Sequence, residues 1–254
     1  MSELGELLTI ARRAADVARD VIMPLYESSL TVELKADRTP VTAADKGAEE
    51  AIRAFLDREC PAHGILGEEF GEKSGDGRHR WILDPIDGTK SFIHHVPLWG
   101  TLVALERDGT PVVGVIACHA AAETAWAAAG EGAWLNGSRM RVSAVDSLAD
   151  ATVSMTSFSR ALRDQPQVLD RLAGHVGLLR AWGDCYGYLM VAAGRADVML
   201  DQEMNIWDMA ALVPIISEAG GRITRWDGVA DHDGSAVATN GLLHDEILAI
   251  LNQP

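Results

Sequence analysis

The sequence is short of basic residues. Its 22 lysines and arginines stand against 37 aspartates and glutamates, a formal net charge of −15 over 254 residues. Such a surface repels nucleic acid and anionic membrane, which argues against both as main partners. An anionic substrate would then need a local positive centre, and bound metal cations can supply one. Cysteine is scarce as well: Cys60, Cys118 and Cys185 are odd in number, widely spaced and form no CxxC pair. That argues against structural zinc and a disulfide framework and leaves buried free thiols as the expectation. No apolar run reaches the roughly 20 residues that a membrane span requires. Residues 1–6 show no basic segment leading into an apolar one, so a cytoplasmic protein is expected. Internal repeats, low-complexity tracts and flexible linkers are missing too.

What is present is an ordinary globular composition, 48% hydrophobic and 23% charged, in a chain long enough for a substantial core. Apolar residues from Leu4 to Leu25 recur at helical spacing, with Pro24 expected to kink or end that helix. Residues 30–42 read as two short strands around a turn, and a second helix is predicted from about Ala43 to Glu59. Residues 63–66 and 80–83 read as short buried strands. Further strands are predicted over Leu98–Leu105, Pro111–Cys118 and Thr124–Ala128. In the second half, strands at Thr152–Ser157 and Gly177–Leu179 alternate with helices at Gln167–Ala173, Tyr186–Ala193 and Met209–Ala219. This βα alternation argues for a sheet covered by helices. A soft boundary near Val142–Ala151 divides one domain, 1–254, into halves of about 1–145 and 146–254.

The most informative segment is Trp81-Ile-Leu-Asp84-Pro-Ile-Asp87-Gly-Thr89. A buried strand delivers two carboxylates three positions apart, then turns through Gly88 towards a helix starting near Thr89. Two carboxylates at a strand end can bridge hard cations, and amides at a helix start can hold phosphate oxygens. Taken alone, the segment equally suits a surface Asp-Pro turn with an Asp cap. Two further acidic positions shift the balance. Gly67-Glu68-Glu69 follows the apolar Gly64-Ile-Leu66, and Asp208 opens the apolar stretch Met209–Ile216, where a plain N-cap is the common use of Asp. Together these positions form an all-oxygen donor set, which suits Mg²⁺ and not zinc. His94-His95 is read as solvent-facing or packing.

These motifs, in this order, resemble the inositol monophosphatase superfamily: Gly67-Glu-Glu69, Asp84-Pro-Ile-Asp-Gly-Thr89 and Trp207-Asp208, with Glu218-Ala-Gly-Gly221 closing the last. The resemblance spans Asp45 to Gly241. It implies an α+β fold, a layered αβαβα sandwich of mixed sheets covered by helices. It implies a magnesium-dependent phosphomonoesterase holding two or three Mg²⁺ per active site, with Mn²⁺ able to substitute, and a homodimer. Carried over position by position, it puts Glu68, Asp84 and the Ile86 carbonyl on one metal and Asp84, Asp87 and Asp208 on another. The Gly88 and Thr89 amides would bind phosphate beside Ile86, Asp87 and Asp208. Thr89 and Asp45 would orient the attacking water, with Glu68 helping to hold that site. Two metals fit the chemistry independently, since they can lower the pKa of a bound water and neutralise phosphate.

The substrate is read from Arg180-Ala-Trp-Gly-Asp184-Cys-Tyr-Gly-Tyr188 and from Asp201-Gln-Glu203-Met-Asn-Ile-Trp-Asp208. Inositol-hydrolysing members resemble one another in a small or hydroxylated residue at the place of Asp184. Here that place holds a carboxylate, with Asp201 and Glu203 expected on the same rim and Arg180 alongside. With Ala238-Thr-Asn-Gly-Leu-Leu-His244, this wording is similar to the branch of the superfamily that hydrolyses histidinol phosphate in histidine biosynthesis. That substrate carries an ammonium and an imidazole, which an acidic pocket suits. The competing use of Asp184 is a salt bridge to Arg180 or a helix cap. Three alternatives stand beside this reading. They are an inositol-1-phosphate or broad sugar-phosphate phosphatase, a non-catalytic binding protein that keeps the fold, and a phosphatase for fructose bisphosphate or nucleotide 3′-phosphates. The intact set Asp45, Glu68, Asp84, Asp87, Thr89 and Asp208 argues against the binding protein. The acidic second half argues against substrates carrying extra phosphates.

Overall fold

The first helix, α1 (Glu3–Tyr26), is capped by Ser2, whose hydroxyl accepts the Gly5 amide at 3.0 Å. Pro24 lies in its last turns without ending it; the helix runs two residues further. In this computed structural model, residues 2–28, 32–34 and 40–253 are described, and for 32–34 and 40–42 only the backbone. Strands β1 (Val32–Leu34) and β2 (Pro40–Thr42) pair antiparallel, and the turn expected between them lies outside the described residues. Helix α2 (Ala43–Glu59) follows. The small side chains of Ala11, Ala14, Ala15 and Ala18 let α1 lie close against the face of α2 that carries Ala44, Ala48 and Ile52.

The large sheet comes next: β3 (Gly64–Gly67), β4 (Gly71–Lys73) and β5 (His79–Asp87), then the short helix α3 (Thr89–Ile93) and β6 (Gly100–Arg107), β7 (Thr110–Cys118), β8 (Glu123–Ala128), β9 (Gly132–Leu135) and β10 (Ser138–Arg139). Its order is β10-β9-β8-β7-β6-β5-β3-β4, antiparallel except for the β3–β5 pair. Successive residues of a strand face opposite ways, and here both faces are covered. Trp81, Leu83, Val103, Leu105, Val113 and Val115 pack under α1 and α2. Their neighbours Ile82, Leu102, Ala104 and Ile116 enter a second core. Coverage on both sides is why these strands read as continuous apolar runs and not as alternation.

That second core is shared with a smaller mixed sheet. The chain continues through β11 (Thr152–Met155), α4 (Phe158–Asp164), α5 (Pro166–His175), β12 (Leu178–Arg180), α6 (Asp184–Ala192) and β13 (Val198–Met204). It closes with α7 (Ile206–Met209), α8 (Leu212–Glu218), β14 (Arg222–Thr224), β15 (Gly234–Thr239) and α9 (His244–Leu251). The strand order is β12-β11-β13-β15-β14, parallel across β12, β11 and β13 and antiparallel beyond. Residues of α6 and α8 fill the space between the two sheets, while α5 and α9 cover the outer face of the small one. The layers therefore run α, β, α, β, α, as the family resemblance implied.

Several expectations need correction. The helix expected over Met209–Ala219 is two helices, α7 and α8, and α7 begins three residues earlier at Ile206. Strand β5 extends to Asp87 and so carries both carboxylates itself. Cys60 is half-buried; only Cys118 and Cys185 are fully buried. Among the described residues no helix is long and apolar enough to cross a membrane.

Candidate active site

Asp84 and Asp87 are three residues apart, which in a regular strand would send them to opposite faces. The register of β5 against β6 prevents this. Asp84 pairs with Leu102 and Asp87 with Gly100, so three steps on β5 match two on β6. This bulge turns both carboxylates to one face. Pro85 suits the irregularity because it has no N–H to leave unpaired. Thr101, fully buried, donates its hydroxyl to the Pro85 carbonyl at 2.8 Å, and the Ile86 amide donates to Asp84 Oδ1 at 3.0 Å. The Ile86 side chain is buried on the other face of the sheet.

Asp208 reaches the same face from the second half. It is not the plain N-cap that is the common use of an Asp at a helix start. Asn205 is the N-cap of α7, and Asp208 stands at the third helical position of a capping box, accepting the Asn205 amide at 2.7 Å. One carboxylate oxygen each from Asp84, Asp87 and Asp208 lies within 4.8 Å of the other two. Burial, with Glu68, Asp87, Asp208 and Asp45 close by, pushes the Asp84 carboxyl well above the usual carboxylate range. Burial does the same to Asp87, helped by Asp184 and Asp208, and raises Asp208 to about 6. Converging, desolvated carboxylates repel one another unless protons or cations are placed between them. Three hard oxygen donors at this spacing fit a divalent cation of the magnesium class.

The remaining walls follow from the turn at Gly88. Its φ of 86° is left-handed, and a Cβ there would come within 3.1 Å of both Asp184 Oδ2 and the Leu98 carbonyl. Glycine meets both demands. Thr89 opens α3 and donates its hydroxyl to the Ile86 carbonyl at 3.1 Å. A cavity of about 570 Å³ is lined by Glu68, Asp84, Ile86, Asp87, Gly88, Thr89, Lys90, Thr156, Asp184 and Asp208, among others. Asp45 is buried on the first turn of α2, near enough to Asp84 to add to its repulsion.

The acidic rim expected beyond the carboxylates is only partly assembled. Asp184 does line the cavity, with φ 53° and its amide donating to Thr156 Oγ1 at 2.9 Å. Burial raises it to about 6 against the pull of Lys90. Asp201 instead lines a neighbouring cavity of about 170 Å³. It is buried and accepts the hydroxyls of Thr156 at 3.0 Å and Tyr188 at 2.9 Å. Glu203 lines that second cavity too and is ion-paired to Arg160. Arg180 is exposed and donates to the Leu179 carbonyl at 2.9 Å, and no salt bridge joins it to Asp184 among the described residues. Lys90, which the sequence reading passed over, is the cation beside Asp184; its signal was its place directly after Thr89.

A second residue missed from sequence is Glu49. Fully buried on α2, it accepts the amides of Glu69 at 2.8 Å and Phe70 at 3.2 Å, and Arg53 Nε at 2.7 Å. It thereby fixes the corner that presents Glu68. Gly67 is packed so tightly on it that a Cβ would lie 2.0 Å from Glu49 Oε1. The sequence signal was faint, a Glu and an Arg four apart on a helix, which ordinarily marks a solvent-exposed pair.

Comparison with known proteins agrees with this geometry. The model of the inositol monophosphatase family matches residues 3–253. The chain is 44% identical to the histidinol-phosphatase of Mycobacterium tuberculosis, covering 96% of each. It is also 44% identical to that of Chlorobaculum parvum, again over 96% of each. The crystal structure of the extragenic suppressor protein suhB from Bartonella henselae superposes with a TM-score of 0.92 at 31% identity, covering 98% of this chain and 99% of that one. A family match over nearly the whole length, on a site whose carboxylates converge as these do, leaves one conclusion: the chain belongs to the inositol monophosphatase family.

Proposed function

We propose that this protein hydrolyses L-histidinol phosphate to L-histidinol and inorganic phosphate. The carrying observation is Asp184, a carboxylate held on the wall of the cavity that contains Asp84, Asp87 and Asp208. The reaction class, phosphoric monoester hydrolysis, follows from the family and from the histidinol-phosphatases at 44% identity.

Asp84, Asp87, Asp208, Glu68 and the Ile86 carbonyl are the groups that would hold Mg²⁺. When bound, Mg²⁺ supplies charge neutralisation of the phosphate and acidifies a water. The Gly88 and Thr89 amides, at the turn, would donate to phosphate oxygens. Thr89 Oγ1 and Asp45 would orient the attacking water, with the Thr89 hydroxyl donating to the Ile86 carbonyl and its lone pairs left to accept from that water. No side chain need act as a nucleophile. Asp184 faces the alcohol portion of the ester, and its negative charge suits the ammonium of histidinol. Burial raises the Asp184 pKa to about 6, and Lys90 opposes that rise, which favours the charged form. The family resemblance supports a homodimer, which sedimentation velocity would test.

An inositol-1-phosphate phosphatase is the second reading, because the carboxylate centre and the Gly88–Thr89 turn serve any monoester. Phosphate release from histidinol phosphate, inositol 1-phosphate and glycerol phosphate, measured with Mg²⁺, separates the two. A clear preference for histidinol phosphate in kcat/KM is expected; a preference for inositol 1-phosphate would reject the proposal while keeping the reaction class.

A further inference from the structure

At the end of β5 remote from the carboxylates lies a different donor set, His63, Asp76 and His79. His63 is in the connection from α2 to β3, Asp76 in the loop between β4 and β5, and His79 is the first residue of β5. Asp84 lies five positions along the strand from His79, about 17 Å at the usual rise. The two clusters therefore do not share a cation.

The geometry of the three side chains is specific. Asp76 Oδ1 accepts the amides of Arg78 at 2.8 Å and His79 at 2.7 Å, which locks the carboxylate in place. Its Oδ2 lies 3.1 Å from His79 Nδ1. Two ligands of a tetrahedral zinc, each about 2.05 Å from the metal, stand about 3.3 Å apart, so this pair is already near ligating separation. The ring of His63 stacks on that of His79, with centroids 4.5 Å apart and planes 18° from parallel. One ligand atom from each of the three residues lies within 4.8 Å of the other two. His79 is only 8% exposed. The Nδ1 of His63 is buried without a hydrogen-bond partner among the described residues. A buried ring nitrogen left unsatisfied is costly, and a cation would give this one a partner.

Protonation favours ligation. Burial, with the neighbouring His79, lowers the His63 pKa, which favours the neutral ring. The amides of His79 and Arg78 hold Asp76 well below the carboxylate range, so it is ionised. Those are the states in which imidazole and carboxylate bind metal. Two imidazoles and one carboxylate form a borderline donor set suited to zinc and its neighbours, whereas the oxygen-only centre at the far end of β5 suits magnesium. The two loops are also already in register: the Asp76 amide donates to the Ala62 carbonyl at 2.7 Å, and a Cβ on Gly75 would clash with the Gly64 amide at 2.0 Å. The cysteine spacing speaks only against a thiolate site and leaves imidazole donors untouched.

We propose that His63, Asp76 and His79 form a binding site for a divalent transition cation of the zinc class, distinct from the catalytic centre, that staples the α2–β3 connection to the β4–β5 loop. In the stacked arrangement the lone pairs run side by side, so binding requires the half-buried His63 ring to turn until its nitrogen converges with Asp76 Oδ2 and His79 Nδ1. Solvent completes the coordination at the exposed Asp76 side.

The test is titration of the full chain with Zn²⁺ by calorimetry in saturating Mg²⁺, repeated with Co²⁺ as a spectroscopic probe. Wild type should take up one equivalent more than His63→Gln, or bind it at least tenfold more tightly. It should also show a Zn²⁺-dependent rise in melting temperature that the variant lacks. His63→Gln should keep its Mg²⁺-dependent phosphatase rate. Asp84→Asn, altered at the catalytic centre, should retain the extra equivalent. Since His79 is buried and its replacement can unfold the chain, Asp76→Asn is the second variant, and it too should lose the equivalent. Equal Zn²⁺ binding by wild type and a folded His63→Gln would overturn the proposal. So would loss of that binding in Asp84→Asn with retention in His63→Gln.

Discussion

Glu49 touches no proposed substrate or metal position, yet its replacement should reach the proposed metal centre through Glu68. Glu49→Gln conserves shape and removes one charge. The amide offers one carbonyl oxygen where the carboxylate offered two, and turns an N–H towards one of three donors: the Glu69 amide, the Phe70 amide and Arg53 Nε. At least one buried donor loses its partner, about 1–3 kcal/mol. Arg53, whose side chain is 16% exposed, also loses its counter-charge. Removing one partner of a fully buried pair costs about 3–5 kcal/mol, and partial exposure of Arg53 brings that down. The combined expectation is about 2–4 kcal/mol, a fall in Tm of roughly 5–15 °C for a chain of this size. The sharper readout is metal dependence. Groups that orient metal ligands typically contribute about 10–100-fold in metal affinity. The Mg²⁺ concentration giving half-maximal phosphate release should therefore rise at least tenfold, with most of kcat recovered at saturating Mg²⁺. Arg53→Met, measured alongside, separates the ion pair from the grip on the corner. A folded Glu49→Gln protein with an unchanged Mg²⁺ half-saturation would refute the chain of reasoning from Glu49 to Glu68.

Asp184→Asn should cut kcat/KM for histidinol phosphate by about 10–100-fold, the loss of a charge-assisted contact of about 1.5–3 kcal/mol, and leave glycerol phosphate nearly unaffected; equal losses on both esters would make Asp184 structural. Asp87→Asn should abolish activity yet raise Tm in chelator by about 2–4 °C for each kcal/mol of repulsion and desolvation relieved, because the amide can still accept the Cys185 N–H that Asp87 accepts here; a lower Tm would mean that the buried carboxylate is not a net burden on the fold. His244 is fully buried between the hydroxyls of Thr224 and Thr239, and burial lowers its pKa to about 4. Between pH 6.5 and 4 only the unfolded chain takes up this proton, so its contribution to stability is complete above pH 6.5 and falls by at most about 1.4 kcal/mol per pH unit below it. Urea unfolding of wild type and His244→Gln across that range should show a shallower loss in the variant.

The parts of the fold legible in the sequence are those fixed by local pattern. The Ala-rich stripe of α1 and the apolar runs that became β6 and β7 needed only periodicity. The carboxylates at Asp84, Asp87, Glu68 and Asp208 stood out because apolar segments ended on them. Three things were not legible. The bulge between Asp84 and Asp87 is a property of pairing with β6, so a reader of one strand sees two residues of opposite face. The division between α7 and α8 arises where the chain passes close under β7, and helical apolar spacing runs straight across it. The rim residues were misjudged for a related reason. Asp201 and Glu203 lie on β13 two positions apart and do face one cavity, but it is the one beside the carboxylate site, where Asp201 accepts from Thr156 and Tyr188 and Glu203 pairs with Arg160.

The placement of the site on the seam where the two sheets meet follows from the charge it must carry. Asp84, Asp87 and Glu68 come from the large sheet, Asp208 and Asp184 from the second half, and left to themselves these groups repel. What holds them is the apolar layer beneath, where Leu102, Ile116, Cys185, Tyr188 and Leu189 are all buried in one core. Directional bonds cross the same seam: the Cys185 amide donates to Asp87 Oδ2, and Asp184 Oδ2 sits against Gly88. A Cβ on Gly100 would come within 2.9 Å of Cys185 Sγ and 3.1 Å of Cys118 Sγ, so the halves are in van der Waals contact immediately behind the carboxylates. A site built within one half could relax its repulsion by letting a loop swing into solvent. Here relaxation would have to pull apart a pair of sheets that share a core, at a cost of about 25 cal/mol for every Å² of apolar surface exposed. The scaffold can thus hold five acidic groups poised before any cation or substrate arrives. This preorganisation is the property a metal-dependent phosphatase requires of its protein.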